Sequence, residues 1–154
     1  MASWNDVEKD APDLAERVRA RFTSAKHHTL ATLRRDGAPR ISGTEIVFNL
    51  GEAWLGSMSG ARKAQDLQRD PRFALHSSTA DETLGDGDAR IGGTAVEVTD
   101  PAEIARVYDS TETPEPMHLF RLDIDELVLI RVQGDDLVVD SWRPGHGARQ
   151  VTRR

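Results

Sequence analysis

The pair Asp36-Gly37, set between two apolar runs, is the strongest indication of structure in this chain. Glycine accepts a positive φ without a Cβ clash, so the pair favours a hairpin of two strands at 28–34 and 40–48. Asn49-Leu50-Gly51 marks a second turn, and a third strand-like run follows at 53–57. The pattern predicts three antiparallel strands joined by tight turns, a meander.

Helical segments interrupt the strand-like runs at three places. Residues 10–25 carry an apolar side chain at every fourth position, and Asp10 can cap them. Residues 59–69 have helical character, and Asp100-Pro101 opens a third helix. Further strands are predicted in the remaining apolar runs, at 72–77, 89–98, 119–124, 127–132 and 137–142. About seven strands and three helices with short connections predict a closed or nearly closed antiparallel barrel with peripheral helices.

One domain is expected for a chain of this length. The sequence has 154 residues, enough for one hydrophobic core, and we predict a single domain over 1–154 with its core at about 10–143. An acidic, glycine-rich stretch at 79–89 lacks apolar periodicity and is predicted to be a mobile loop. A proline-rich loop is predicted at 110–117. Residues 143–149 are basic, which indicates a loop or a terminal arm.

Composition argues against several classes of function. The chain has no cysteine, which rules out disulfides, thiolate metal sites, iron–sulfur clusters and a cysteine nucleophile. Its formal net charge of −6 is unfavourable for a general nucleic-acid binder, because no excess of cations is available to release counterions. The N-terminus lacks the pattern of a signal peptide, and no apolar run could cross a bilayer. We therefore expect a cytoplasmic protein that contacts neither nucleic acid nor membrane.

The segment at 56–64 carries the most specific chemistry. A strand ends in hydroxyl groups at Ser57 and Ser59, a glycine allows a turn, and a helix begins with Arg62 and Lys63 nearby. A helix N-terminus offers unpaired N–H groups and partial positive charge, and the two cations add charge-assisted donors. This arrangement suits a terminal phosphate group. The alternative is that Ser59 only caps the helix while both cations are solvated.

Residues 55–75 read LGSMSGARKAQDLQRDPRFAL and resemble the signature of the pyridoxamine-5'-phosphate-oxidase-like family. That signature is a strand, an S-R-K-A-type helix start and an (N/D)-P-R entry to the next strand. Residues 28–40 resemble the opening hairpin of the family, and 93–100 resemble its later strand into a helix. Together the similar segments cover most of 25–110. The resemblance implies a mainly β fold, the antiparallel FMN-binding split β-barrel, with about three peripheral helices.

The resemblance also implies how a flavin would be held. The family forms homodimers with the flavin in grooves at the subunit interface. Arg62 and Lys63 would hold the flavin phosphate, and Trp142 would reach the cofactor from near the chain end. An ordinary barrel-packing role is the alternative for Trp142. The other implied contacts lie on the second and third strands and the turn that follows: Arg40, Ile41, Ser42, Gly43, Gly56, Ser57 and Ser59.

Two departures from the oxidase pattern bear on the activity. Glu45 stands where the oxidase has a lysine, and Trp142-Arg143-Pro144-Gly145 stands in place of its C-terminal Arg-x-His motif. The chain end is more similar to the flavin/deazaflavin reductase branch. We therefore expect an oxidoreductase that acts on a small organic substrate with FMN, or alternatively with an 8-hydroxy-5-deazaflavin coenzyme. The second hypothesis is a non-catalytic carrier or sensor of flavin, deazaflavin or haem.

The sequence assigns no catalytic acid or base. Hydride transfer to a flavin need not require one, because the cofactor carries the chemistry. No metal site is predicted, since the histidines show no metal-ligand spacing with carboxylates. They are expected to be scattered, partly exposed side chains: His27, His28, His76, His118 and His146.

Overall fold

A computed structural model of the chain describes residues 2–79, 82–112 and 114–154. In these ranges it is mainly β, with four helices and one antiparallel sheet of nine strands. The helices are α1 (Trp4–Asp10), α2 (Pro12–Thr23), α3 (Arg62–Arg69) and α4 (Pro101–Val107). The strands are β1 (His28–Leu33), β2 (Pro39–Thr44), β3 (Ile46–Asn49), β4 (Glu52–Met58), β5 (Arg72–His76), β6 (Asp88–Val98), β7 (Met117–Gln133), β8 (Asp136–Arg143) and β9 (Gly147–Arg153).

Seven of the strands form a barrel that the chain closes through a bend at Glu45. Their hydrogen-bonded order is β2-β1-β5-β6-β7-β4-β3, so β2 and β3 lie at the two ends of the order. Glu45 alone separates these two strands in the chain and joins the ends. β2 pairs with β1, whereas β3 pairs with β4. The strand predicted at 40–48 is therefore two strands with different partners, and the simple three-strand meander is corrected.

The longest strand, β7, has 17 residues and runs beside β6. It contains both strands predicted at 119–124 and 127–132. Between them Asp125 has no partner in β6, which makes a β-bulge beside Gly93. A Cβ on Gly93 would lie 1.9 Å from the carbonyl oxygen of Asp123, so only glycine fits there.

The C-terminal residues form a strand instead of the predicted loop or arm. β9 pairs with β8 from Gly147 opposite Arg143 to Arg153 opposite Leu137. The connecting turn contains Gly145, whose φ of 77° is in the region that favours glycine. Nearly all of β9 is exposed, so its sequence shows no apolar alternation that could have predicted it.

An unpredicted helix, α1, precedes the helix predicted at 10–25. The Ser3 hydroxyl accepts a hydrogen bond from the Asp6 amide, while the Asp6 carboxylate accepts one from the Ser3 amide. The predicted helix is α2, which covers Pro12–Thr23. Asp10 ends α1 and does not cap α2, whose N-terminal cap is the backbone of Ala11.

The two predicted loops are described only in part. In the loop predicted at 79–89, residues 80 and 81 lie outside the described residues, and β6 already begins at Asp88. In the loop predicted at 110–117, residue 113 lies outside them, and β7 begins at Met117.

The core lies inside the barrel and beneath α2. Alternate side chains of β7, among them Leu122 and Ile124, are fully buried. Val18 and Phe22 of α2 belong to the same cluster of buried side chains. None of the helices within the described residues is long and apolar enough to cross a bilayer.

Candidate functional site

A groove of about 560 Å³ opens beside the bend that closes the barrel. Its walls come from the β2–β3 bend, the end of β4, the start of α3 and the connection after α4. Four of the residues predicted to contact a cofactor line it: Gly43, Gly56, Ser57 and Lys63. The segments that the sequence pattern singled out are therefore brought together around one cavity.

Lys63 supplies the cation inside the groove. Its ammonium Nζ donates a hydrogen bond to the carbonyl oxygen of Gly43 at 2.8 Å, which ties the first turn of α3 to β2. Burial lowers the pKa of Lys63 below its usual value, and the negative charge of Glu45 opposes this change. An ammonium has three donors, so the contact with Gly43 leaves Lys63 able to bind an anion as well.

The first turn of α3 has no side-chain cap. The helix begins at Arg62, three residues later than predicted, because Ser59 and Gly60 form a turn. The cap is Ala61, which has no side-chain acceptor for the N–H groups of the first turn. Ser59 is exposed and does not cap the helix. Arg62 is also exposed, and within the described residues it does not line the groove.

Ser57 lies at the inner end of the groove, where its side chain is nearly buried. Its hydroxyl makes one long hydrogen bond, 3.4 Å to the carbonyl oxygen of Met58. A hydroxyl with so weak a partner can turn to donate to an anion.

Arg40, predicted to line the cofactor, is held in a buried network. Its Nε donates to Oδ2 of Asp66 at 2.7 Å, and the same oxygen accepts from Thr32 at 2.8 Å. Arg69 donates to Oδ1 of Asp66 at 3.1 Å. The Asp66 side chain is only 4% exposed. The network fastens α3 to β1 and β2, and so positions the start of α3 against the groove.

Ile41 and Ser42 follow Arg40 on β2. Ile41 is 75% exposed and Ser42 is partly buried. Neither of them lines the groove within the described residues, although Gly43 beside them does.

Trp142 lies apart from this groove. Its side chain is 3% exposed, belongs to the main hydrophobic core, and donates from Nε1 to the Asp10 carboxylate at 2.6 Å. This environment is the one expected for a packing tryptophan. Any contact with a cofactor stays a prediction.

Tyr108 is a groove residue that the sequence did not indicate. It follows α4, is 39% exposed, and approaches the backbone of Gly56 so closely that a Cβ there would meet the tyrosine hydroxyl at 2.3 Å. Burial raises the pKa of the Tyr108 phenol, and the charge of Glu45 adds to this. The contact joins residues that are distant in sequence, so periodicity could predict only an apolar face of α4.

Replacing Gly56 with alanine is expected to push Tyr108 out of the groove at little cost in stability, because only the ends of two side chains, Tyr108 and Met117, have to move. Tyr108 is the single tyrosine of the chain, so absorbance reports its ionisation directly. We expect its titration to move down toward the ordinary value of 10.0. Gly43→Ala is the control, since a Cβ at this groove position meets nothing within 4 Å. Equal titrations in both variants would contradict the assigned contact.

Solved structures with the same fold have low sequence identity to this chain. A pyridoxamine 5'-phosphate oxidase-related, FMN-binding protein from Nostoc punctiforme has a TM-score of 0.61 at 12% identity, with 96% of each chain covered. PhzG from Burkholderia lata, solved with tetrahydrophenazine-1-carboxylic acid, has a TM-score of 0.65 at 14% identity, covering 98% of this chain and 95% of that one. These likenesses establish the fold.

A haem-binding protein from Mycobacterium smegmatis is similar in the same way, with a TM-score of 0.63 and 21% identity. The match covers 84% of this chain but only 57% of that protein. No curated protein matches the sequence. The sequence pattern described as pyridoxamine 5'-phosphate oxidase matches residues 14–131. This match spans most of the barrel and includes the groove at the start of α3, and on this basis the chain belongs to the pyridoxamine 5'-phosphate oxidase family of FMN-binding split barrels.

Proposed function

We propose that the groove binds the phosphate of FMN and that the chain is a flavin-dependent oxidoreductase acting on a small organic substrate. The observation that carries this proposal is the position of Lys63, a partly buried cation beside the uncapped first turn of α3. A partly buried cation that forms no ion pair with a carboxylate is unfavourable, and a bound phosphate would offset that cost.

The donors at this corner fit a phosphate monoester. Lys63 and Ser57 line one groove, and Lys63 belongs to the first turn of α3, which has no side-chain cap. The guanidinium of Arg62 is exposed and free to turn toward it. Such charge-assisted donors at a helix N-terminus bind phosphate well, because dipole and charge act together.

The flavin, when bound, supplies the hydride chemistry. The chain's own residues would bind and orient it: Lys63 and Arg62 would hold the phosphate end, and Gly43, whose Cβ position is open, would let the cofactor approach the backbone. Tyr108 covers the groove beside Gly56 and would exclude water there. Its phenol is protonated near neutral pH, as that of any tyrosine with an ordinary or raised pKa is, so the hydroxyl can donate a hydrogen bond.

We propose further that the working form is a homodimer with the cofactor at the subunit interface. Two large apolar side chains near the groove support this: Ile41 is 75% exposed and Met58 is 83% exposed. Met58 also lines the groove. A second copy of the chain placed over these side chains would bury them and enclose the groove.

Binding of FMN compared with riboflavin tests the proposal. The two molecules share the ring and differ in the phosphate, so the affinity ratio isolates the corner built by Lys63 and α3. We expect FMN to bind about a hundredfold more tightly or better, since each charge-assisted contact contributes roughly 1.5–3 kcal/mol. Quenching of flavin fluorescence measures both. Equal affinities, or no binding of FMN, would contradict the phosphate assignment.

The same corner would accept the phosphate of an 8-hydroxy-5-deazaflavin coenzyme, and mass spectrometry of the copurified small molecule separates the two. Bleaching of the bound flavin by a reduced nicotinamide supports an oxidoreductase. A flavin that binds and never turns over supports the carrier or sensor.

One structural neighbour is a haem-binding protein, and His27 lines the groove. A Soret band in the spectrum of the purified protein would show that the bound ligand is haem and not a flavin.

A further inference from the structure

His118 stands behind the corner where α3 begins. It lies on β7 directly opposite Ser57 of β4. Its Nε2 accepts a hydrogen bond from the amide of Gly60 at 3.1 Å. Gly60 belongs to the 58–61 turn, which leads from β4 into α3 and is closed by the amide of Ala61 donating to the carbonyl oxygen of Met58. The histidine therefore holds the backbone segment that connects β4, which lines the groove, to α3.

The other ring nitrogen fixes the tautomer. Nδ1 lies 2.8 Å from Oε1 of Glu97, and Gln68 donates to Oε2 of the same carboxylate at 2.9 Å. Although burial opposes the change, the hydrogen bonds from His118 and Gln68 lower the pKa of Glu97, so it is a charged acceptor. Nδ1 accordingly carries the proton that is donated to Glu97, and Nε2 is left as the acceptor for Gly60.

We propose that His118 is a positioning residue for the phosphate corner, and that its neutral form holds the 58–61 turn in the arrangement that binds the cofactor. This inference rests on the proposed function for the ligand, but the turn itself can be tested without one. A protonated imidazole donates from both nitrogens. Nε2–H would then face the N–H of Gly60, and the bond that holds the turn would be lost.

The contacts of His118 come from its own strand, from α3, from the 58–61 turn and from β6. Its ring is stacked on Phe120 of its own strand. The contacts from α3 and from the 58–61 turn are neutral, namely Gln68 and the Gly60 amide. Among the described residues, Glu97 of β6 is its one ionisable partner, and that carboxylate stays charged over the range in which histidines change charge.

The amide of Gly60 provides the direct test. In NMR spectra of the free protein, we expect its chemical shift to follow the titration of the His118 ring and its hydrogen exchange to accelerate in the protonated form. If neither the chemical shift nor the hydrogen exchange of the Gly60 amide changes when His118 is protonated, the proposal is overturned. If Gly60 responds while FMN fails to bind, the positioning role is supported and the proposed function is contradicted, so the two failures are distinguishable.

Variants that separate titration from structure complete the test. His118→Gln places an amide oxygen near the position of Nε2 and can still donate to Glu97, but it has no charge change. Between pH 8 and 5.5 we expect the wild-type protein to lose about fivefold more FMN affinity than this variant, the effect of one ordinary hydrogen bond. The protonation of the FMN phosphate itself cancels in the comparison.

Two more variants test the role of the ring nitrogen and control for the loss of a histidine. His118→Phe keeps a ring without an acceptor, and we expect rapid exchange of the Gly60 amide at every pH, with circular dichroism reporting the fold. His146→Gln removes an exposed histidine and should keep the wild-type pH profile. Identical pH profiles for wild type and His118→Gln would overturn the proposal even if the phenylalanine variant fails to fold.

Discussion

Replacing Asp66 with alanine is expected to lower the free energy of unfolding by about 3 kcal/mol, the lower end of the range for removing one partner of a buried ion pair. Its carboxylate is 4% exposed and is the acceptor for Arg40, Thr32 and Arg69. Without it, the guanidinium of Arg40 and the buried hydroxyl of Thr32 lose their acceptor, while Arg69 keeps its hydrogen bond to the carbonyl oxygen of Leu33. Urea unfolding followed by tryptophan fluorescence measures the change.

The exposed pair Asp70–Arg72 gives a matched control. Its closest contact, 2.6 Å, is as short as those of Asp66, but the Arg72 side chain is 70% exposed. Arg72→Ala should therefore cost far less than Asp66→Ala, because water already solvates both charges. Similar losses in the two variants would show that the burial of Asp66 is not what makes its network stabilising.

The same carboxylate makes stability depend on pH. Burial by itself raises the pKa of Asp66, but the hydrogen bonds from Arg40, Thr32 and Arg69 lower it below the ordinary value of 3.8. The stabilisation is therefore fully present above that value and is lost as the pH falls through the lowered pKa of the folded state. Asp66→Asn should flatten this acid limb of the stability curve.

The double variant Arg62→Ala with Lys63→Ala is expected to lose about 10²- to 10⁴-fold in FMN affinity, because two charge-assisted contacts of roughly 1.5–3 kcal/mol each are removed. The barrel should stay folded, since Arg62 is exposed and Lys63 makes one hydrogen bond, to a backbone carbonyl. Flavin fluorescence titration gives the affinity, and thermal unfolding without ligand reports the fold.

A second adjacent pair of cations controls for net charge. Arg34 and Arg35 are exposed at the end of the β1–β2 hairpin, away from the groove. Their double alanine variant changes the charge by the same amount, so it should keep nearly all of the FMN affinity. If both double variants weaken FMN equally, the effect is a general electrostatic one and the start of α3 is not the phosphate site.

Short sequence motifs correctly predicted those elements that depend only on residues close together in the chain. The Asp36-Gly37 hairpin is present, with Gly37 at φ 84° and β1 paired to β2 along its whole length. The segment at 56–64 does bring the hydroxyl of Ser57 and the ammonium of Lys63 to one groove, whereas Ser59 does not line it within the described residues. These features depend on turn chemistry and on neighbours in the chain, which a sequence displays directly.

Features set by tertiary contacts could not be predicted. The bend at Glu45 lies within a run of strand-forming residues, and only the pairing partners on either side reveal it. The contact of Tyr108 with Gly56 and that of His118 with Gly60 both join residues far apart in the chain. Strand β9 is exposed and carries no alternation, so pairing with β8 alone determines it.

The bend at Glu45 ties ligand binding to the completion of folding. Glu45 lines the groove and separates β2, which pairs with β1, from β3, which pairs with β4, so the cavity has no complete wall until both pairings have formed. A ligand bound there would stabilise the finished barrel alone and no partly assembled form. In a circular permutant that is opened at Glu45 and joined between the present first and last residues, we expect the ligand to bind only after β2 and β3 have come together.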